Sequence, residues 1–143
     1  MTTQEEKTVL HTGIDGLTFH NLRTINQIRA GLWSNGNTDR WTLGDWANAM
    51  QGEAGEAGNV VKKMRRCETD DDFGTRVFDK ATWERYTDML AEELADVIIY
   101  CDLLADKVGI NLTDAVRDKF NKVSRREGIP VFVDTDPTKE GAP

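Results

Sequence analysis

The chain has 143 residues, and 25 acidic against 18 basic side chains give it a net charge of −7 and a pI near 4.8. Such a domain repels phosphodiester backbones, which excludes a general DNA or RNA binder. No uncharged apolar run nears the ~20 residues of a bilayer span, and the start MTTQEEKTVL lacks the basic and apolar regions of a signal peptide.

Cys67 and Cys101 lie far apart and outside any C-x-x-C motif, so they suggest neither a disulfide framework nor a zinc site; a reducing cytoplasm is expected. The three prolines, Pro130, Pro137 and Pro143, all come late, and the first 129 residues hold none to break a helix. The first predicted helix covers 18–32, with Thr18 as N-cap, Leu22, Ile25, Ile28 and Leu32 as its apolar stripe, and Gly31 with the polar run 34–37 ending it. His20 and Arg23 on this helix are expected at the surface.

The second helix is expected from about Leu43 to Arg66. Thr42 and Asp45 form a capping-box pattern, and Lys62, Lys63, Arg65 and Arg66 sit in the last turns, where cations complement the helix dipole. Residues 67–80 read as an acidic loop with a short helical piece near Val77 and Phe78. A third helix is predicted over roughly 82–108, and a fourth over 113–126, capped by Asn111 or Thr113 and ending before Gly128. Val131, Phe132 and Val133 read as a short strand or extended arm, and both chain ends as flexible tails. Four helices with short connections predict a single all-α domain of four-helix-bundle type, spanning 1–143 with its core at about 18–130.

On the third helix, Leu90, Leu94, Val97, Cys101, Leu104 and Val108 form one apolar stripe. Beside it runs Met89, Glu93, Asp96, Tyr100 and Leu103, so two carboxylates interrupt an apolar seam. The second helix repeats the device: Trp46, Ala49, Glu53, Glu56 and Val60 share one face, with Gly52, Gly55 and Gly58 around the carboxylates. Three glycines inside a helix imply close approach of a neighbouring helix or a ligand. Carboxylates three apart share a face, so each helix points two into one space. Four unpaired carboxylates there require compensating cations or protonation. An all-oxygen donor set selects a hard cation, Mg²⁺ or Mn²⁺. A di-iron bundle needs Glu-x-x-His motifs, and the only histidines, His11 and His20, are near the start.

Gln51-Gly52-Glu53-Ala54-Gly55-Glu56-Ala57 and Glu92-Glu93-Leu94-Ala95-Asp96-Val97-Ile98-Ile99-Tyr100 resemble the paired ExxE and ExxD motifs of the all-α nucleoside triphosphate pyrophosphatases. That superfamily includes MazG-like enzymes and the dCTP and dimeric dUTP pyrophosphatases. The resemblance extends over roughly residues 18–130. It implies a helical bundle assembled as a homodimer or homotetramer, and Mg²⁺-dependent hydrolysis of nucleoside triphosphates to monophosphate and pyrophosphate. Glu53, Glu56, Glu93 and Asp96 would be the metal ligands. Two departures stand out: residues 57–92 make a longer inter-motif gap than in compact members, and Val123 stands where many members place an Asn four residues after a Lys.

The implied chemistry is attack of a metal-activated water on the α-phosphorus, with Glu56 favoured as general base. Lys119 and Lys122 are the preferred phosphate contacts. Arg125, Lys63 and Asn121 are further candidates, and Arg126 belongs to the same basic cluster. Trp33, Trp41, Trp46 and Tyr100 are candidates for an aromatic wall against the base. The loop between Trp33 and Trp41 could form a lid. A non-catalytic helical binding or scaffold protein with a cation-binding acidic seam, and a hydrolase of other phosphorylated compounds, remain alternatives. Single nucleotides, not nucleic-acid polymers or membranes, are the expected partners.

Overall fold

The computed structural model describes residues 16–33, 36–70 and 76–133, so most of the predicted tails and all of residues 71–75 of the acidic segment lie outside the described residues. Four α-helices appear in the expected order: α1 (Phe19–Trp33), α2 (Leu43–Met64), α3 (Lys80–Lys107) and α4 (Leu112–Glu127). None of them is long and apolar enough to cross a membrane.

Local capping chemistry sets the helix ends. The Asn21 amide donates to Thr18 Oγ1 at 3.1 Å ahead of α1. At α2 the capping box is complete: the Asp45 amide donates to Thr42 Oγ1 at 3.2 Å, and the Thr42 amide donates to Asp45 Oδ2 at 2.8 Å. Asp79 caps α3, accepting from the Thr82 amide. Asn111, rather than Thr113, caps α4. Gly128 ends α4 at φ 66°, a left-handed conformation that glycine adopts without steric penalty.

Between α2 and α3 the structure corrects the expected helical piece. Arg76–Phe78 is a strand, β2, paired antiparallel with β1 (Glu68–Asp70), with Thr69 opposite Val77. β-branched and aromatic residues there favour extended backbone. The ribbon returns the chain so that α2 and α3 pack along each other as the main contact of the fold, with α1 laid on α3 and α4 on α1. The arm 131–133 is neither helix nor strand.

The core centres on Ala30, Trp46 and Leu103, with Trp41, Ile99, Tyr100 and Leu104 packed around them. This orientation bears out two predicted stripes only in part: Leu22 and Ile25 on α1 and Leu90, Val97, Cys101 and Leu104 on α3 are half-buried. On α1, Ile28 and Leu32 are exposed and the buried residues are Asn26 and Ala30. On α3, Leu94 and Val108 are each 49% exposed, while the seam that carries the carboxylates ends on buried Leu103.

The physical reason is a polar clasp that docks α1 on α3. Asp102, fully buried, accepts from Arg23 Nε at 3.0 Å and from Asn26 Nδ2 at 3.0 Å. Arg23 also pairs with Asp106 at 3.3 Å and donates to the Ile110 carbonyl, and Gln27 donates to Asp106. Arg23 is therefore a buried-side anchor and not the surface residue expected from its charge. Its spacing to Asn26 and Ala30, opposite an Asp102–Asp106 pair four apart, is the signal in the sequence that marks the docking face.

Candidate metal and nucleotide site

Glu53 and Glu56 leave α2 on one face, and Glu93 leaves α3 across from them. Each of the three brings a carboxyl oxygen within 4.8 Å of the other two. Glu53 and Glu93 are half-buried and Glu56 is exposed. Burial holds the Glu53 carboxyl above its ordinary range, and the charges of Asp96, Glu56 and Glu93 push it further in the same direction. The protonated form of Glu53 can then share a side-chain hydrogen bond with Glu93.

The cluster is a concentration of negative charge, which a proton or a bound cation would relieve. Its donors are all carboxylate oxygens, which fits a hard divalent ion. Asp96, the fourth expected ligand, is not among the three converging oxygens. It acts on Glu53 through its charge and lines the adjoining cavity.

The glycines beside the cluster stand in the open. A Cβ built on Gly52, Gly55 or Gly58 would meet nothing within 4 Å. Of the two reasons expected for their number, close approach by a neighbouring helix or by a ligand, the first does not occur among the described residues.

Next to the carboxylates lies an aromatic ladder. Trp33 and Trp41 are tilted at 5.9 Å, Trp41 stacks on Trp46 at 4.3 Å, and Trp46 tilts against Tyr100 at 6.3 Å. Trp46 itself is a buried core residue, 4% exposed. Two cavities flank the contact of Ala30 with Leu103. One, of about 400 Å³, is bordered by Trp46, Gln27, Asp39, Asp106 and Lys107. The other, of about 260 Å³, is bordered by Arg29, Trp33, Asp96, Tyr100, Ala30 and Leu103. Tyr100 joins this second cavity to the carboxylates: burial raises its phenol above the ordinary range, and Glu53 and Asp96 raise it further, while Arg29 acts in the opposite sense.

The basic candidates are dispersed. Lys119, Lys122 and Arg125 are exposed on α4, the helix that packs on α1. Arg125 lies over the Phe132 ring at 5.5 Å. Lys63 is exposed in the last turn of α2. Asn121, expected as a substrate contact, is buried and clamps the arm instead: its Nδ2 donates to the Val133 carbonyl at 2.9 Å and its Oδ1 accepts from the Val133 amide at 2.8 Å. Arg29, which borders the cavity beside Asp96, was not singled out by the sequence pattern; its place seven residues before Gly36 on a helix of mixed polarity carries no distinctive signal.

No curated protein and no solved structure matches the chain. Residues 74–135, which carry Glu93, Asp96 and all of α4 but not the α2 carboxylates, match the model of the MazG-like family, consistent with the MazG-like nucleotide pyrophosphohydrolase superfamily that the paired motifs resemble.

Proposed function

We propose that the protein is a divalent-metal-dependent nucleotide pyrophosphohydrolase that converts a (d)NTP to the monophosphate and pyrophosphate. One observation carries the reading: Glu53, Glu56 and Glu93 converge with carboxyl oxygens within 4.8 Å of one another, and burial and the neighbouring carboxylates raise the Glu53 carboxyl above its ordinary range. The family-level match of α3 and α4 agrees with that activity.

Glu53, Glu56, Glu93 and, from its neighbouring position, Asp96 would hold Mg²⁺ or Mn²⁺. When bound, the cation supplies charge neutralisation for the triphosphate and acidifies a water for attack on phosphorus. Glu56, the exposed member, would accept the proton of that water. Trp46, buried at 4% exposure, would support the aromatic ladder from beneath, and Tyr100 would stand between a bound nucleoside and the carboxylates. Lys119, Lys122, Arg125 and Lys63 are proposed to meet the outer phosphates. For the α4 residues this requires a nucleotide long enough to reach past α1, or a second copy of the chain.

A homodimer or homotetramer is part of the same proposal. Leu94, Ile98 and Val61 leave an apolar surface on the α2–α3 pair that one chain does not cover. Incubation with a panel of NTPs and dNTPs plus Mg²⁺ tests the activity. Release of NMP and pyrophosphate, abolished in Glu56→Gln, is expected. Release of orthophosphate, or equal behaviour of variant and wild type, refutes it. A monomeric mass in solution refutes the oligomer.

A further inference from the structure

We propose that Arg29 reads the edge of the nucleobase and selects bases that present two adjacent hydrogen-bond acceptors, namely cytosine and guanine. The inference deepens the nucleotide reading of the same site.

The two arginines of α1, Arg23 and Arg29, differ in what they do. Arg23 is fully engaged by Asp102, Asp106 and the Ile110 carbonyl. Arg29 makes no ion pair among the described residues; its one described hydrogen bond is a long donation to Asn26 Oδ1 at 3.5 Å. Its guanidinium borders a cavity whose other walls are the Trp33 ring, Ala30, Leu103, Tyr100 and Asp96. An aromatic plane, apolar groups and a few polar side chains, here the Arg29 guanidinium, the Tyr100 phenol and the Asp96 carboxylate, are what a base-binding slot requires.

The cavity lining sets Arg29 apart from the three converging carboxylates. Arg29 and Trp33 of α1 line it opposite Asp96 and Tyr100 of α3, while Glu53, Glu56 and Glu93 are not among its lining residues. Asp96 is the member of the expected ligand set that reaches this cavity, so the carboxylates adjoin one side of it and Arg29 with Trp33 form another. A triphosphate held at the first of these sides would put its base at the second. The cavity, about 260 Å³, is below the ~300–1,000 Å³ of pockets that enclose whole drug-sized ligands, so it accommodates the nucleoside end and leaves the phosphates outside.

Arginine offers donors in a fixed fork and no acceptor. Cytosine matches the fork with O2 and N3, and guanine with O6 and N7. Uracil and thymine place an N–H between their two carbonyls, and adenine sets an amino group beside its ring acceptors, so each leaves a donor facing the guanidinium.

Binding of CMP, GMP, UMP and AMP, followed by tryptophan fluorescence and calorimetry, tests this without relying on turnover. CMP and GMP should bind roughly 5- to 150-fold tighter than UMP and AMP, the range for one bidentate contact. The ratio should collapse toward one in Arg29→Ala and also in Arg29→Lys, which keeps the charge and loses the fork. Circular dichroism melts confirm that the variants fold. The proposal is overturned if the four bind equally or not at all, if UMP or AMP is preferred, if Arg29→Lys retains the ratio, or if Arg29→Ala weakens all four by one factor, as a phosphate contact would. Failure of the wild type to cleave any triphosphate would refute the pyrophosphohydrolase reading and leave the binding result to stand or fall alone.

Discussion

Replacing Glu53 by Gln keeps the shape and hydrogen-bonding capacity of the side chain while removing one charge from the cluster. Three carboxyl oxygens lie within 4.8 Å of one another. At that separation a pair of unit charges repels by about 0.9 kcal/mol in water. Glu53 takes part in two such pairs, and physiological salt screens roughly half of the sum, which leaves about 1 kcal/mol for a partly exposed site. In a domain of this size that corresponds to a rise in Tm of about 3–4 °C. Metal-free Glu53→Gln should therefore be more stable than wild type at pH 7.

The sign with pH follows from the raised Glu53 carboxyl. A carboxyl whose folded pKa is raised contributes most to stability below its unfolded pKa, and that contribution is lost as pH rises through the folded value. The two proteins should converge in acid and diverge toward neutrality. Saturating Mg²⁺ or Mn²⁺ should reverse their order, since a ligand at a hundred times its Kd adds about 2.7 kcal/mol to the protein that binds it. Thermal melts across pH, with and without metal, provide the measurement. A metal-free variant less stable than wild type, or equal responses of both to metal, would refute the cluster as a cation site.

Three further outcomes are expected. Tyr100 should titrate above the ordinary phenol range in an ultraviolet pH titration assigned with Tyr100→Phe, and bound metal should bring it down by offsetting Glu53 and Asp96; no response to metal would separate Tyr100 from the site. Gly58→Ala, at an open helical position, should stabilise the dilute protein by about 0.5–1 kcal/mol; a loss in denaturant titration would reveal a neighbour packed on that face. Asp102→Ala should cost about 3–5 kcal/mol by leaving Arg23 and Asn26 without their buried partner; a shift under 1 kcal/mol in urea unfolding would show that the clasp does not hold α1.

What the sequence disclosed was chiefly local. Thr42 with Asp45, Thr18, and Gly128 announce helix ends because caps act over three or four residues. Glu53 and Glu93 stood out because charge inside an apolar seam is costly without a purpose, and the structure does bring them together. The failures lie where a distant partner decides. Arg23 and Asn26 look like surface polarity until Asp102 meets them, and that buried pairing turns Ile28 and Leu32 outward. Asn121 looks like a free amide until the Val133 backbone occupies it. Residues 76–78 lack any long period, and only pairing with 68–70 makes them a strand.

The clasp also has a kinetic consequence. Arg23 and Asp102 are separated by 79 residues, whereas α2 and α3 close on each other through the short ribbon. Closing the shorter loop sacrifices less chain entropy, so the α2–α3 hairpin is expected to consolidate first and α1 to dock afterwards. The three converging carboxylates all belong to that early hairpin, and their repulsion opposes the nucleus itself. A divalent cation should consequently accelerate refolding as well as slow unfolding, and the quenching of Trp33 against Trp41 should mark the final docking event in a stopped-flow trace.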